Sequence, residues 1–256
     1  MIITTKNITP ENIDRYGVFC IKDKKSPGRK KKIAWFRSQY IEGLKLKIAI
    51  DENQKQLGFI EYIPGEKAWR PIIANGFLFI QCIAIFVKDA KGKGIASGMI
   101  KEVEKEAMNS QKDGVCTICS EGVWMAGKSL YEKNGYTLVD TSDRYTLWAK
   151  AFSHKVTNPS FPDWGQHTNK YKGWHLIYSD QCPWHEKSVN DIRQCAEDQN
   201  INMKFNKINS THEAQLSPTG FGTYSLIKDG NVLADHYISL TKFKNILAIE
   251  KGNKKG

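Results

Sequence analysis

The sequence lacks any apolar run close to the roughly 18 residues that a membrane-spanning helix requires. Its first residues also lack the basic-then-apolar pattern of a signal peptide. Only six of the 256 residues are cysteines, spread over the whole chain, which excludes a small disulfide scaffold and favours a reducing, cytoplasmic compartment. With 40% hydrophobic and 25% charged residues, the composition is that of a soluble globular protein of one large or two ordinary domains.

Acidic residues are too few to balance the basic ones, and the formal net charge is +11. Residues 1–150 carry +8 and residues 151–256 carry +3, with most of the first excess between Lys22 and Arg37. Such a charge either attracts the phosphates of a nucleic acid, a lipid or a cofactor, or belongs to a solvated helix face. The charge alone does not choose among these.

The composition changes at residues 151–172, where two prolines and many turn-forming residues predict a connection between domains. The aromatic residues Phe152, Phe161 and Trp164 in this stretch indicate that it packs on a surface. We therefore predict a first domain over residues 1–150, a linker over 151–172 and a smaller domain over 173–250.

Strands and helices alternate in the first domain, which predicts an α/β fold. The almost continuous apolar run Phe77–Val87 is typical of a strand that is covered on both faces. The next segment, Gly94–Asn109, predicts an amphipathic helix. Its apolar stripe consists of Ile95, Met99, Val103 and Ala107.

An earlier helix is predicted to begin at Thr9, a good cap, with Pro10 in its first position. The remaining helices of the first domain are predicted at Lys30–Gly43 and Ala126–Lys133. Its remaining strands are predicted at Met1–Thr5, Leu46–Ile50, Leu57–Pro64, Val115–Cys119, Tyr136–Asp140 and Tyr145–Ala149.

The segment Lys91-Gly92-Lys93-Gly94-Ile95-Ala96-Ser97 lies between the apolar strand and the amphipathic helix. Glycines there let a ligand approach the backbone closely. The N–H groups and the dipole of the first helical turn favour a pyrophosphate. A glycine pair before a helix also occurs in purely structural turns. The segment is neither a Walker A loop nor a Rossmann fingerprint, since it lacks their further residues.

This segment resembles the acyl-CoA motif of the GNAT superfamily of N-acyltransferases, Gln/Arg-x-x-Gly-x-Gly/Ala, and the element order over residues 1–150 is also that of the family. The resemblance implies that backbone amides from Gly92 to Ser97 hold the CoA pyrophosphate. It also implies that main-chain groups of Ala84, Ile85 and Phe86 hold the pantetheine arm and the acyl carbonyl. The implied CoA-binding set is Ala84, Ile85, Phe86, Lys91, Gly92, Lys93, Gly94, Ile95, Ala96 and Ser97.

Two positions depart from the family's pattern, and a third has an alternative interpretation. Lys91 replaces the usual Gln or Arg, keeping a charge but losing bidentate phosphate binding. Trp124 stands where the family often has an asparagine that contacts the cofactor. The segment Leu130–Tyr136 is similar to the family's Tyr-x-x-x-Gly-Phe/Tyr segment, which implies that Tyr131 protonates the departing CoA thiolate. The alternative for Tyr131 is a tyrosine that only packs in the core.

A general base is not evident from the sequence, although deprotonation of an amine requires a proton acceptor. Glu61 and Glu121 are candidates by position, and each is more typical of an ordinary surface acid. Cys116 and Cys119 form a C-x-x-C pattern, but strand spacing directs them to opposite faces, so we interpret them as structural.

The second domain is predicted as strand, helix, strand, hairpin and helix, the layout of a thioredoxin-like domain. Its elements are predicted at Trp174–Ser179, Glu186–Gln199, Met203–Ile208, a hairpin turn at Asp229-Gly230 and a helix from Thr241.

The turn around Cys182 resembles the glutaredoxin Cys-Pro-x-Cys turn, with His185 in place of the second cysteine. At a helix N-terminus, Cys182 is expected to have a lowered pKa. The resolving cysteine is missing, and Gly222-Thr223 occupies the place of the family's cis-proline, so a binding role is favoured over dithiol exchange.

A GNAT domain followed by such a domain resembles the YoaP-type acetyltransferases. The resemblance implies direct transfer of an acetyl group from acetyl-CoA to an amine, with no metal, no membrane and no expected nucleic-acid partner. Two alternatives remain open: a non-catalytic CoA-binding or regulatory protein, and a redox-linked protein that acts through Cys182.

Overall fold

The computed structural model describes residues 2–17, 20–21, 23–122 and 125–252. Within this part of the chain, the first half forms a mixed α/β unit around a large sheet. Its elements are β1 (Ile3–Ile8), α1 (Ile13–Tyr16), α2 (Pro27–Tyr40), β2 (Lys45–Asp51), β3 (Gln56–Pro64), β4 (Phe77–Ile85), α3 (Ile95–Asn109), β5 (Gly114–Ser120), α4 (Lys128–Glu132), β6 (Thr137–Ser142) and β7 (Tyr145–Ala151).

The large sheet has the strand order β1-β2-β3-β4-β5-β7-β6. Neighbouring strands are antiparallel except β4 and β5, which are parallel. These two strands pair only over residues 77–80 and 114–117. At the last pair, the Thr117 hydroxyl donates to the Ile80 carbonyl at 3.0 Å. Beyond this point β4 and β5 separate, so a gap opens in the middle of the sheet.

Strand β4 is covered on both faces, as its apolar run predicted. On one face, the buried residues of α3 pack against the sheet, and these are the predicted stripe Ile95, Met99, Val103 and Ala107. On the other face, the buried cluster includes Phe36 of α2 and continues into the second half of the chain. The sheet is therefore a central layer, with α3 on one side and α2 and the second half on the other.

The second half contains a four-stranded sheet of order β11-β10-β8-β9, in which β8 and β9 are parallel and the other pairs antiparallel. The β10–β11 turn lies at the predicted Asp229-Gly230, whose φ angles of 48° and 80° suit a two-residue hairpin turn. The elements are β8 (Trp174–Tyr178), α5 (His185–Asp198), β9 (Met203–Lys207), α6 (Thr211–Gln215), β10 (Tyr224–Lys228), β11 (Asn231–Ala234) and α7 (Leu240–Glu250).

Two helices differ most from the sequence predictions. The helix expected from Thr9 begins only at Ile13, because the Asn12 side chain accepts from the Thr9 N–H at 3.0 Å and holds a turn there. Helix α6 was not predicted, although Ser210 caps it by accepting from the Glu213 N–H at 3.2 Å. The S-x-x-E pattern at this position is a capping box that could have revealed it.

The segment over residues 151–172 packs on the protein, as its aromatic residues predicted. Ile73 and Ser160 form an isolated β-bridge, and Trp164 is buried with its indole N–H donating to Asp143 at 3.0 Å. The Trp164 ring also lies against Gly220 of the second half. This segment therefore ties the two halves together.

A polar network at the junction links β7 to the loop after β11. Arg144 donates to both carboxylate oxygens of Asp235, at 2.6 and 2.8 Å, and the Tyr145 hydroxyl donates to the same carboxylate at 2.7 Å. Burial raises the pKa of Asp235, but the hydrogen bonds from His236, Arg144 and Tyr145 outweigh it and hold the pKa below its ordinary value.

In the described part of the chain, no helix is long and apolar enough to cross a membrane.

Candidate functional site

The glycine loop before α3 is built for close approach to the backbone. Gly92 and Gly94 both have φ of +76°, and a Cβ placed on either would meet nothing within 4 Å. Gly94 is the N-cap of α3 and takes the left-handed conformation, which strains residues with a side chain. The open space in front of these glycines faces the first turn of the helix, where N–H groups have no intrahelical partner.

Two adjoining cavities, of about 370 and 410 Å³, form a groove along this loop. Both contain Ile85 of β4, Gly92 and Ala96 of the loop and helix start, and Leu130 of α4. The groove thus runs from the helix N-terminus into the gap beside β4. The predicted CoA-binding residues that line it are Ala84, Ile85, Lys91, Gly92, Gly94, Ile95, Ala96 and Ser97.

Lys93 and Phe86 line neither of these two cavities. The Phe86 N–H donates to the Leu57 carbonyl of β3 at 3.1 Å, so the expected use of this amide toward an acyl oxygen is corrected. Successive residues of a strand direct their N–H groups to opposite sides. The N–H of Ile85 is therefore directed away from β3, into the gap between β4 and β5.

A third cavity, of about 340 Å³, lies between the large sheet and the second half of the chain, and we call it the intersheet cavity. It meets the groove at Ile83, Ala84 and Ala126, which line both. Its walls include apolar side chains of the large sheet and residues of the second half. These residues are Leu46, Phe59, Ile80, Ile118, Gln181, Cys182, Pro183, Trp184, Phe221 and Tyr237.

Tyr131 stands where the groove and the intersheet cavity meet. It is 1% exposed, lines the intersheet cavity and follows Leu130, which lines the groove. Burial raises the pKa of the Tyr131 phenol well above its ordinary value, so the hydroxyl keeps its proton and can donate it. A ring that is fixed in this way, with a T-shaped contact to Tyr136 at 5.5 Å, can hold a donor in one place.

Glu61 is not the surface acid that its position in the sequence suggested, and that interpretation is wrong. It is 1% exposed and lines the intersheet cavity. One carboxylate oxygen accepts from Lys32 at 2.5 Å, and the other accepts from Gln181 of the second half at 3.0 Å. Glu121, by contrast, is exposed as expected. The sequence could not reveal this triad, because its members come from three distant segments.

The predicted lowering of the Cys182 pKa is wrong. Burial raises the pKa of this thiol, and this effect is larger than the lowering caused by the hydrogen bond from the Trp184 backbone N–H. The neighbouring His185 is buried, its Nδ1–H donates to the Ser179 carbonyl at 2.9 Å, and burial lowers its pKa to about 4. The imidazole is therefore neutral at pH 7 and provides no cation to stabilise a thiolate.

Cys116 and Cys119 lie in the two buried clusters on opposite faces of the sheet, which confirms their structural interpretation.

The basic stretch before Arg37 is only partly a solvated helix face, because Arg29 and Lys32 are buried. Lys22 and Trp124 lie outside the described residues. Within the described residues, no cluster of His, Cys, Asp and Glu is arranged to hold a metal ion.

A family model described as YoaP-like matches residues 203–245. The protein described as the uncharacterized N-acetyltransferase YoaP of Bacillus subtilis strain 168 is 27% identical over 246 residues, which are 94% of this chain and 96% of that protein. This similarity over nearly the whole chain agrees with the predicted N-acetyltransferase and with the YoaP-type arrangement.

Among solved structures, a GNAT-family acetyltransferase from Staphylococcus aureus Mu50 matches with 13% identity and a TM-score of 0.43. The PaiA N-acetyltransferase from Thermoplasma acidophilum, solved in complex with coenzyme A, matches with 16% identity and a TM-score of 0.41. Each match covers 59% of this chain and 100% of the other.

Proposed function

We propose that this protein transfers an acetyl group from acetyl-CoA to the amine of an acceptor that is held in the intersheet cavity. The observation that carries the proposal is that the groove and the intersheet cavity meet. The groove at the glycine loop of α3 meets the intersheet cavity at Ala84, and Tyr131 lies at the meeting point. Direct transfer needs both substrates at one place, and this junction provides it.

The groove fits the CoA part of this substrate. The φ angles of Gly92 and Gly94 and the open space in front of them leave the backbone of the helix start accessible to a pyrophosphate. The separated edge of β4 provides the main-chain groups of Ile85 to an extended pantetheine arm, whereas the main chain of Ala84, like that of Phe86, is directed toward β3. Lys91 lines the same groove and adds a positive charge near the phosphates. Bound there, acetyl-CoA supplies the acyl group as a reactive thioester.

The residues at the junction divide the chemistry among them. Glu61 is the only acid that lines the intersheet cavity among the described residues, and we assign it as the acceptor of the amine proton. The Ile85 N–H donates to the acyl oxygen as negative charge develops on it. Tyr131 donates its hydroxyl proton toward the departing sulfur. Burial keeps this phenol protonated at neutral pH, so its O–H is available to the sulfur as the bond between the acyl carbon and the sulfur breaks.

We further propose that the second half is a thioredoxin-like domain and that it forms one wall of the intersheet cavity, where the acceptor binds. The support is its element order and the sheet order β11-β10-β8-β9 with β8 and β9 parallel. The raised pKa of the half-buried Cys182 thiol, which keeps its proton at pH 7, argues against a redox-linked activity. The domain limits of 1–150, 151–172 and 173–250 remain part of this proposal, as does a cytoplasmic location, which the free cysteines support.

The test uses the whole protein in two measurements. Isothermal titration with acetyl-CoA is expected to show one site in the groove, and release of free CoA thiol is then followed over a panel of small amines. An amine-dependent release supports transfer. Binding without release from any amine supports the alternative of a non-catalytic CoA-binding protein, and no binding at all refutes both.

A further inference from the structure

One buried charge in the intersheet cavity plays no part in the proposed transfer. Arg70 lies between β3 and β4, is 6% exposed and lines the cavity. One of its N–H groups donates to the Phe221 carbonyl of the second half, and the guanidinium lies 4.9 Å from the centre of the Phe221 ring. These contacts hold the side chain in place without neutralising it.

Arg70 has no acidic partner in the described part of the chain: no carboxylate oxygen of the described residues lies within 4.0 Å of its nitrogens. Glu61 lines the same cavity, but Lys32 already pairs with it at 2.5 Å. The described lining of the cavity thus carries one uncompensated positive charge. A buried charge without a partner is costly, and a fold keeps it most readily where a ligand supplies the opposite charge.

Arg70 also lies at a suitable distance from the reacting end of the cavity. The backbone N–H of the preceding Trp69 donates to the side chain of Gln81 at 3.1 Å, which places this segment beside Gln81 of β4. Three residues along the strand, roughly 10 Å, separate Gln81 from Ala84, where the cavity meets the groove. A single small molecule can therefore reach from the guanidinium to the junction.

We propose that the acceptor is a small amine that carries a carboxylate and an apolar body, with the carboxylate bound by Arg70; this inference rests on the proposed function. A planar guanidinium fork matches a carboxylate in geometry and charge. The apolar walls, among them Leu46, Phe59 and Ile118, accept the body of the molecule. Amines with a second positive charge, such as polyamines, are disfavoured by the same guanidinium.

The first experiment measures binding and needs no turnover. Protein saturated with CoA is titrated with 3-phenylpropionate and with its neutral amide, which has the same apolar body. The carboxylate is expected to bind at least tenfold more tightly than the amide. Arg70→Gln is expected to abolish this difference, and Arg70→Lys, which keeps the charge, is expected to retain part of it. Equal binding of acid and amide, or no binding of the acid, would overturn the inference.

A matched control tests whether loss of any guanidinium has the same effect. Arg193 also lies over a phenylalanine ring, at 4.0 Å from Phe205, and does not line the cavity. Arg193→Gln is expected to leave the preference for the carboxylate intact. Thermal unfolding of each variant checks that it folds, and Arg70→Lys decides the matter if Arg70→Gln does not fold.

The second experiment compares kcat/KM for phenylalanine and phenethylamine, which differ by the carboxylate. Phenylalanine is expected to be acetylated at least tenfold more efficiently, and a preference for phenethylamine would overturn the inference. If the protein does not bind acetyl-CoA, the proposed transfer fails, whereas the same titration of the CoA-free protein with 3-phenylpropionate and its amide still decides whether Arg70 binds carboxylates. If neither amine is acetylated, that titration alone decides the inference.

Discussion

The groove and the intersheet cavity differ in the groups that they offer to a ligand: the groove offers backbone groups, and the cavity offers side chains. The groove is lined by the loop and helix start between Ala90 and Ser97 together with residues of β4 and α4, and it offers backbone groups in front of Gly92 and Gly94. The intersheet cavity is lined by side chains from both halves of the chain, including Glu61, Arg70 and Gln181. The first is a local structure, and the second exists only after the two halves have packed together.

This difference indicates that the groove and the cavity have separate roles in binding. A site made of backbone depends on a few φ angles and tolerates changes in most neighbouring side chains. A cavity made of distant side chains depends on how the halves pack, and its charge and shape change with single substitutions. We therefore expect binding of the common CoA part to be independent of the second half, and acceptor selection to depend on it.

The largest effect is expected at the junction of the two spaces. Tyr131→Phe removes the donor to the departing sulfur while keeping the ring, and general acid catalysis is worth about 10²–10⁴-fold, so kcat should fall within that range with CoA affinity unchanged. Tyr136→Phe is the matched control, since this ring is also buried and contacts Tyr131 but does not line the cavity. Wild-type kcat in Tyr131→Phe would leave only a packing role, provided that chemistry limits turnover.

A smaller loss is expected from Glu61→Gln, at the lower end of the general-base range, about 10²-fold in kcat. Glutamine keeps the size of the side chain and an oxygen for Lys32 but removes the counter-charge of this buried ammonium, so thermal unfolding is measured beside kcat to check that the variant folds. Glu121→Gln provides the control, because this acid is exposed and does not line the cavity. An equal, small effect of both substitutions would show that another group accepts the amine proton.

The same contrast explains how much the sequence could predict. The glycine loop, the stripe from Ile95 to Ala107 and the hairpin at Asp229 are local patterns, and they were located to within a few residues. The pairing of Glu61 with Lys32 and Gln181 joins segments 29 and 120 residues away, and no spacing in the sequence encodes it. The Cys182 pKa was missed for the same reason, since its burial depends on the packing of the two halves.

The third effect tests whether the groove is a backbone site. Gly94→Asp places a strained residue and a negative charge where phosphates approach the amides, so CoA affinity should fall by more than about tenfold, a cost above ~1.4 kcal/mol. Gly173→Asp is a matched control, because Gly173 has φ of +75° and equally open surroundings but lies in the second half. Unchanged CoA affinity in folded Gly94→Asp would remove the CoA assignment from this loop.

The smallest effect is expected at the junction of the halves, where Asp235→Asn weakens the hydrogen bonds from Arg144 and Tyr145. Hydrogen bonds to a charged group contribute about 1.5–3 kcal/mol, so the free energy of unfolding at pH 7 should fall by about that amount or less.

The pH dependence of this effect has a definite sign. Because the folded-state pKa of Asp235 is lowered, the carboxylate contributes stability above its unfolded pKa of about 3.9 and loses it as the pH falls toward the folded value. The difference between wild type and variant in urea unfolding should therefore be largest near neutral pH and shrink below about pH 4.

The Asp235→Asn variant also tests whether the groove and the intersheet cavity respond differently to the packing of the two halves. If the intersheet cavity depends on the packing of the halves, KM for the acceptor should rise by about threefold, a cost of ~0.6 kcal/mol. The Kd for CoA should not change, because Arg144, Tyr145 and Asp235 do not line the groove. A change in Kd for CoA equal to the change in acceptor KM would contradict the proposed independence of the groove. The groove would then be, like the cavity, a product of the packing of both halves.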